Sequence, residues 1–184
     1  MEPAQQAKHP VTVLAGPYGH PFHPMLVTVP IGAWVASLVF DIGSRIVSRP
    51  GFLGQGSEWL IAIGVLGALA AAAVGLLDLL AIPPRTKAFR TGLLHMSLNL
   101  AVTAGYAVNF AWRHGQYTSQ REVAGGPLAL SVVCIVVLAG SGYLGGKLAY
   151  HYGVRVADEQ AQAAGFLGGA SSPVRQPDDL PTTS

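Results

Sequence analysis

Histidine is the side chain with the widest chemical scope in this sequence, because imidazole titrates near neutrality and ligates iron, zinc and copper. The chain holds six histidines, and two of them, His20 and His23, sit in the string HPFHP. Pro21 and Pro24 disfavour helix at the residues before them, which predicts an extended or turn conformation and a stiffened segment carrying two imidazoles. His95 stands four residues before Asn99, so on a helix both project from one face. Asp78 is a carboxylate that could join them, while Asp41 stands four residues before Arg45. Three arrangements follow from these residue types. In one, His23 and His95 are axial ligands of a b-type haem, with Lys147 or Arg90 near its propionates. In another, His20, His23, His95 and Asp78 hold a single Zn²⁺, Fe²⁺ or Cu²⁺ ion. In the third no cofactor is bound, and the histidines cap helices and bond loop carbonyls.

The elements that must position these residues follow from hydropathy. Of 184 residues, 51% are hydrophobic and only 11% charged, against roughly 25% charged in a soluble domain. Four stretches, 25–47, 59–80, 91–112 and 127–150, have the ~20 apolar residues that a hydrocarbon core ~30 Å thick requires. The linkers SRPGFLGQGSE, AIPPRTKAFR and RHGQYTSQREVAGG are short, which predicts an antiparallel up-down bundle. The expected fold is therefore an all-α integral membrane protein. Residues 1–24 form an extended segment, 25–156 the four-helix transmembrane domain, and 157–184 a disordered tail too poor in apolar residues to order itself. No continuous apolar run precedes residue 25, so the first span is expected to direct insertion. Lys8, Arg85, Lys87, Arg90, Lys147 and Arg155 outnumber Arg45, Arg49, Arg113 and Arg121 on the other side, which predicts cytoplasmic termini.

Under that topology His20, His23, Asp78, His95, Asn99, Lys147 and His151 gather at the cytoplasmic level, and Asp41, Arg45, Asn109, Arg113 and His114 toward the other. A polar group within a span must be paired or line a cavity. Asp41 is expected to be a structural partner of Arg45 or Arg113, near enough to the outer end for both to snorkel to water. Gly142 and Gly146, with Gly140 and Gly145 beside them, and Gly64 with Ala68 and Ala72, form small-residue ridges that predict close helix contact or room for a flat macrocycle. Trp59 and Trp112 belong to interfacial belts, while Trp34 fits lipid or core equally. The single Cys134 excludes an intramolecular disulfide and suits an apolar interior. A formal charge of +2 gives no footing for nucleic acid. No nucleophile–base pair or nucleotide motif occurs, which argues against a stand-alone enzyme. The central thirds of the spans, nearly all Ala, Val, Leu and Gly, argue against a transport path.

Four strings occur in order from about His20 to Val156: HPFHPMLVTVPIGAW with Asp41 following, GLLDLLAIPPRT, LLHMSLN and GYLGGKLAYHYGVRV. Together they resemble the bacterial membrane-protein family catalogued as domain of unknown function 2231. The resemblance implies four helices in a bacterial inner membrane, and it selects His20, His23, Asp41, Asp78, His95 and Asn99 while leaving His151 outside the set. Some members of that family resemble fusions to Rieske-type iron–sulfur modules, which implies an electron-transfer setting. This chain, with one cysteine, cannot build such a cluster site. The combined expectation is a small membrane redox or cofactor-binding subunit, carrying haem b or a metal ion near the cytoplasmic face. Its expected partners are the lipid bilayer, other membrane subunits or a second copy, and a quinone or other redox partner. The rival expectation is a structural or anchoring subunit with no cofactor of its own.

Overall fold

The computed structural model describes residues 2–114 and 122–166, so the tail beyond 166 lies outside the described residues. The elements are α1 (Pro3–Gln6), a 3₁₀ turn (Val13–Ala15), α2 (His23–Leu26), α3 (Thr28–Ser44), α4 (Gly51–Ala81), α5 (Lys87–His114), α6 (Gly125–Gly146), a π turn (Lys147–His151) and α7 (Glu159–Ala164). Among the described residues there is no strand.

Local chemistry accounts for the boundaries. Pro24 stands in the first turn of α2, where its missing N–H costs nothing. Thr86 Oγ1 accepts from the Phe89 amide at 3.1 Å and starts α5. Pro83 and Pro84 follow the end of α4 and could not continue it. Two expectations are corrected. Residues 1–24 are not wholly extended, since α1 and the 3₁₀ turn fall within them and helix begins at His23. The linker before the second span is largely helical, because α4 begins at Gly51 rather than near Trp59. Glycine is what admits this extra length, as a Cβ on Gly56 would lie 2.8 Å from the Phe40 ring of α3.

Three segments among the described residues are long and apolar enough to cross a membrane: His23–Ser44, Gly51–Ala81 and Gly125–His151. Each presents large apolar side chains outward, with Val39 61%, Leu66 69% and Val136 66% exposed. Such surface would be untenable in water at this density and is ordinary against lipid. Helix α5, which contains residues 91–112, is the polar carrier: His95, Asn99, Asn109, Arg113 and His114 all lie on it.

Helix α3 packs against α4 and α6, and α5 against the same two. Trp34 of α3 and Tyr106 of α5 stack at 4.3 Å and 12° in the core, among Ile61, Val102 and Cys134. Trp34 is thus a core residue. Gly64 of α4 lies directly against its indole, leaving no room for a Cβ.

Toward one end of this core lies an ion pair. Arg113 Nη1 and Nη2 donate to Asp41 Oδ1 and Oδ2, both at 2.7 Å. The side chains are 8% and 0% exposed. Ser57 of α4 donates to Asp41 Oδ1 at 2.5 Å, and Asn109 Oδ1 accepts from Arg113 Nε at 2.6 Å. Ser131 of α6 accepts from Arg113 Nη2 at 3.2 Å and from Asn109 Nδ2 at 3.0 Å. One polar network therefore joins four helices. The expected choice between Arg45 and Arg113 falls to Arg113, and neither partner snorkels. Arg45 instead donates to the Val123 carbonyl at 2.8 Å, outside the network. Replacing one member of a buried pair leaves the other charge stranded, so Asp41→Ala should lower stability by about 3–5 kcal/mol. The double change Asp41→Leu with Arg113→Met should cost less. Thermal unfolding in detergent checks this, and a double variant as unstable as the single one would refute the pairing energetics.

Candidate site at the paired histidines

At the other end of the helices, His23 and His95 approach edge to face, with ring centroids 6.3 Å apart and planes at 86°. His23 opens α2, placed there by Pro21 and Pro24 and by the Phe22 amide, which donates to the Ala15 carbonyl at 3.2 Å. His95 lies in the third turn of α5. Each ring is tethered in the same way. His23 Nδ1 donates to the Ala71 carbonyl of α4 at 2.9 Å, and His95 Nδ1 to the Ser141 carbonyl of α6 at 2.8 Å. A carbonyl can only accept, so each Nδ1 carries a proton, and in the neutral ring the lone pair is then on Nε2. That tautomer, held by a backbone acceptor, is the one in which imidazole binds a metal through Nε2.

Two glycines make the seats. A Cβ on Gly75 of α4 would come within 2.9 Å of the His23 ring, and one on Gly145 of α6 within 3.0 Å of the His95 ring. Asn99 braces the second seat, its amide donating to the His95 carbonyl at 2.9 Å and to Ser141 Oγ at 2.8 Å while standing 3.2 Å from His95 Nε2.

Below the pair, Asp78 of α4 forms an ion pair with Arg155, Oδ1 to Nε at 2.8 Å, with side chains 12% and 3% exposed. Arg155 has a left-handed backbone (φ 60°), unusual for a residue with a β-carbon. Its guanidinium donates to the carbonyls of Ala15 at 3.0 Å and Gly16 at 2.9 Å, and its own amide donates to the Ala7 carbonyl at 2.9 Å. The N-terminal segment is thereby clamped across this end of the helices. Tyr18 adds to the clamp by accepting from the Asp158 amide at 2.7 Å. The Ala161 amide and Tyr18 hold the Asp158 carboxyl below its ordinary range.

The expected residues divide accordingly. The structure brings His23, His95, Asn99 and Asp78 to one end. His20 stands apart, exposed, with Nδ1 3.5 Å from the Tyr18 carbonyl. The four-residue metal set is not assembled, since among the described residues no group of three or more His, Cys, Asp or Glu is placed to hold an ion. His151 is exposed and packs on Tyr152 at 4.8 Å, and Lys147 lies 5.7 Å from the same ring. Of the expected ridge on α6, Gly145 lies against His95 of α5, whereas a Cβ on Gly140 or Gly142 would meet open space among the described residues. Ser141, Gly75, Gly145 and Arg155 escaped the reading of the sequence as site residues. Their signal was slight, a serine and two glycines among apolar neighbours and an arginine past the last span.

These features define an all-helical membrane protein with a backbone-tethered histidine pair at one end. The chain belongs to the family described as predicted membrane protein, DUF2231, which matches residues 19–158. No curated protein and no solved structure matches it. The glycine seats give a direct check. Gly145→Ala should push the His95 ring from its place and weaken its bond to Ser141, visible as a shifted imidazole resonance, whereas Gly142→Ala should leave that resonance unchanged.

Proposed function

We propose that this chain is a small membrane redox subunit that holds haem b between His23 and His95. The observation that carries the reading is the pair itself. Two imidazoles from different helices are each locked by a carbonyl at Nδ1 and each seated on a glycine, with the Asn99 amide 3.2 Å from the Nε2 of His95. Haem iron asks the protein for two axial ligands, whereas a bare ion asks for three or more. The donor set fits the first requirement and falls short of the second. A haem bound here would supply one-electron exchange, with the potential tuned by the Nδ1 partners and by burial. In this reading α5 also crosses the bilayer, giving four antiparallel spans with both termini on the cytoplasmic side of a bacterial inner membrane. The charges of Arg85, Lys87, Arg90, Lys147 and Arg155 support that orientation.

A second reading, an anchoring subunit of a larger assembly, is supported by Gly140 and Gly142, whose open space admits a close-packed helix from another chain. The oxidised-minus-reduced visible spectrum of the purified protein, with metal analysis, separates the two. A haem α-band that disappears in His23→Ala and His95→Ala, with both variants still in the membrane, is the expected result. A protein lacking both haem and a stoichiometric metal supports the anchoring role. Under that role Gly142→Leu should disrupt assembly while leaving the monomer folded, as size-exclusion chromatography would register.

A further inference from the structure

A second histidine site lies at the opposite end of α5. Gln55, Glu58 and Trp59 of α4 and Phe110 and His114 of α5 line a cleft of about 310 Å³. Positions 55, 58 and 59 fall on one face of α4, and 110 and 114 on one face of α5, so the cleft follows from helical spacing. His114 lies nineteen residues beyond His95, roughly 28 Å along the helix at 1.5 Å per residue. The cleft is therefore separate from the histidine pair.

Its polar part is oriented. His114 Nδ1 donates to Glu58 Oε1 at 2.8 Å. A carboxylate acceptor on Nδ1 orients the ring and fixes the neutral tautomer, in which Nε2 is the acceptor. The imidazole stacks on Phe110 at 5.5 Å and 20°. Glu58 is mostly covered while the His114 side chain is 74% exposed, so the histidine is the reachable member of the pair. Trp59 lies beside them, 65% exposed. Aromatic walls with a few oriented polar groups are the usual make-up of a small-molecule site, and ~300 Å³ is the lower end of the usual size. The tryptophans place this level near the membrane interface.

We infer that this cleft binds the headgroup of a membrane-soluble quinol, its ring against Phe110 and Trp59 and one hydroxyl donating to His114 Nε2. Other occupants match less well. An acyl chain has no use for a carboxylate-oriented imidazole, and a phosphate headgroup has no ring to set against Phe110 and Trp59. The inference needs the membrane setting alone and stands apart from the haem reading.

Calorimetric titration of the full chain in nanodiscs with a short-chain benzoquinol tests it. Saturable binding is expected, weakened roughly tenfold or more in His114→Ala and in Glu58→Gln, as loss of an oriented hydrogen bond implies. His114→Gln, which keeps an acceptor, should recover part of the affinity. Unchanged affinity in His114→Ala and Glu58→Gln would overturn the proposal. So would equal binding of the dimethyl ether of the same quinol, which cannot donate. Displacement of the benzoquinol by ethanolamine-headgroup lipid would identify a lipid site instead. Because the titration reads headgroup binding and the difference spectrum reads haem, either proposal can fail without the other.

Discussion

The ion pair between Asp41 and Arg113 is the constraint to which the rest of the helix packing answers. Each charge, taken from water into an apolar interior, carries a desolvation cost that attraction alone does not repay. Here Ser57, Asn109 and Ser131 supply further hydrogen bonds, so the carboxylate and guanidinium are satisfied by side chains from α3, α4, α5 and α6 together. Sliding or rotating α3 or α5 would part the two charges, and moving α4 or α6 would take the hydroxyl of Ser57 or Ser131 from them. An apolar interface tolerates such slips, because lipid is as good a partner as a neighbouring leucine. The polar network therefore sets register, and the stacked Trp34 and Tyr106 beside it fill the space so defined.

Register matters at the far end because the paired histidines arrive on separate helices. His95 lies fourteen residues before Asn109, roughly 21 Å along α5 at 1.5 Å per residue. Its tether is on α6, and the tether of His23 is on α4. A carbonyl can accept an imidazole N–H only over a few tenths of an ångström, so the two sites depend on an alignment established at the ion pair. His23, His95 and His114 share one feature: Nδ1 is committed to a carbonyl or carboxylate acceptor on another helix. His20 lacks so firm a tether and stands in the open.

The sequence made some of this legible, for physical reasons that can be named. Depth counting grouped His23, Asp78, His95 and Asn99, because a polar residue in an apolar run has few places to go. The same counting added His20, three residues from His23, since it cannot see that the chain turns into helix only at His23. Asp41 with Arg45 offered the favourable local spacing, yet Arg113 took the carboxylate, because a bidentate pair shielded by three neighbours outweighs a contact near water. The spacing of Gly145 predicts a ridge for helix contact or room for a macrocycle and nothing in the sequence marks Gly75, whereas both make room for imidazoles. Which face a glycine serves depends on the partner helix, and spacing within one helix does not contain that information. Ser141 and Arg155 carry little local signal, because their roles rest on chain segments far away in sequence.

That last separation bears on how the protein is made. Arg155 holds the carbonyls of Ala15 and Gly16, residues some 140 positions earlier. At ~5–20 residues per second of synthesis, the N-terminal segment waits on the order of 7–28 s before its clamp exists. For that interval the end of the helices carrying His23 has no strap across it. Closure can come only after α6 has been made, so the helices meet one another before the N-terminal segment is fastened across them.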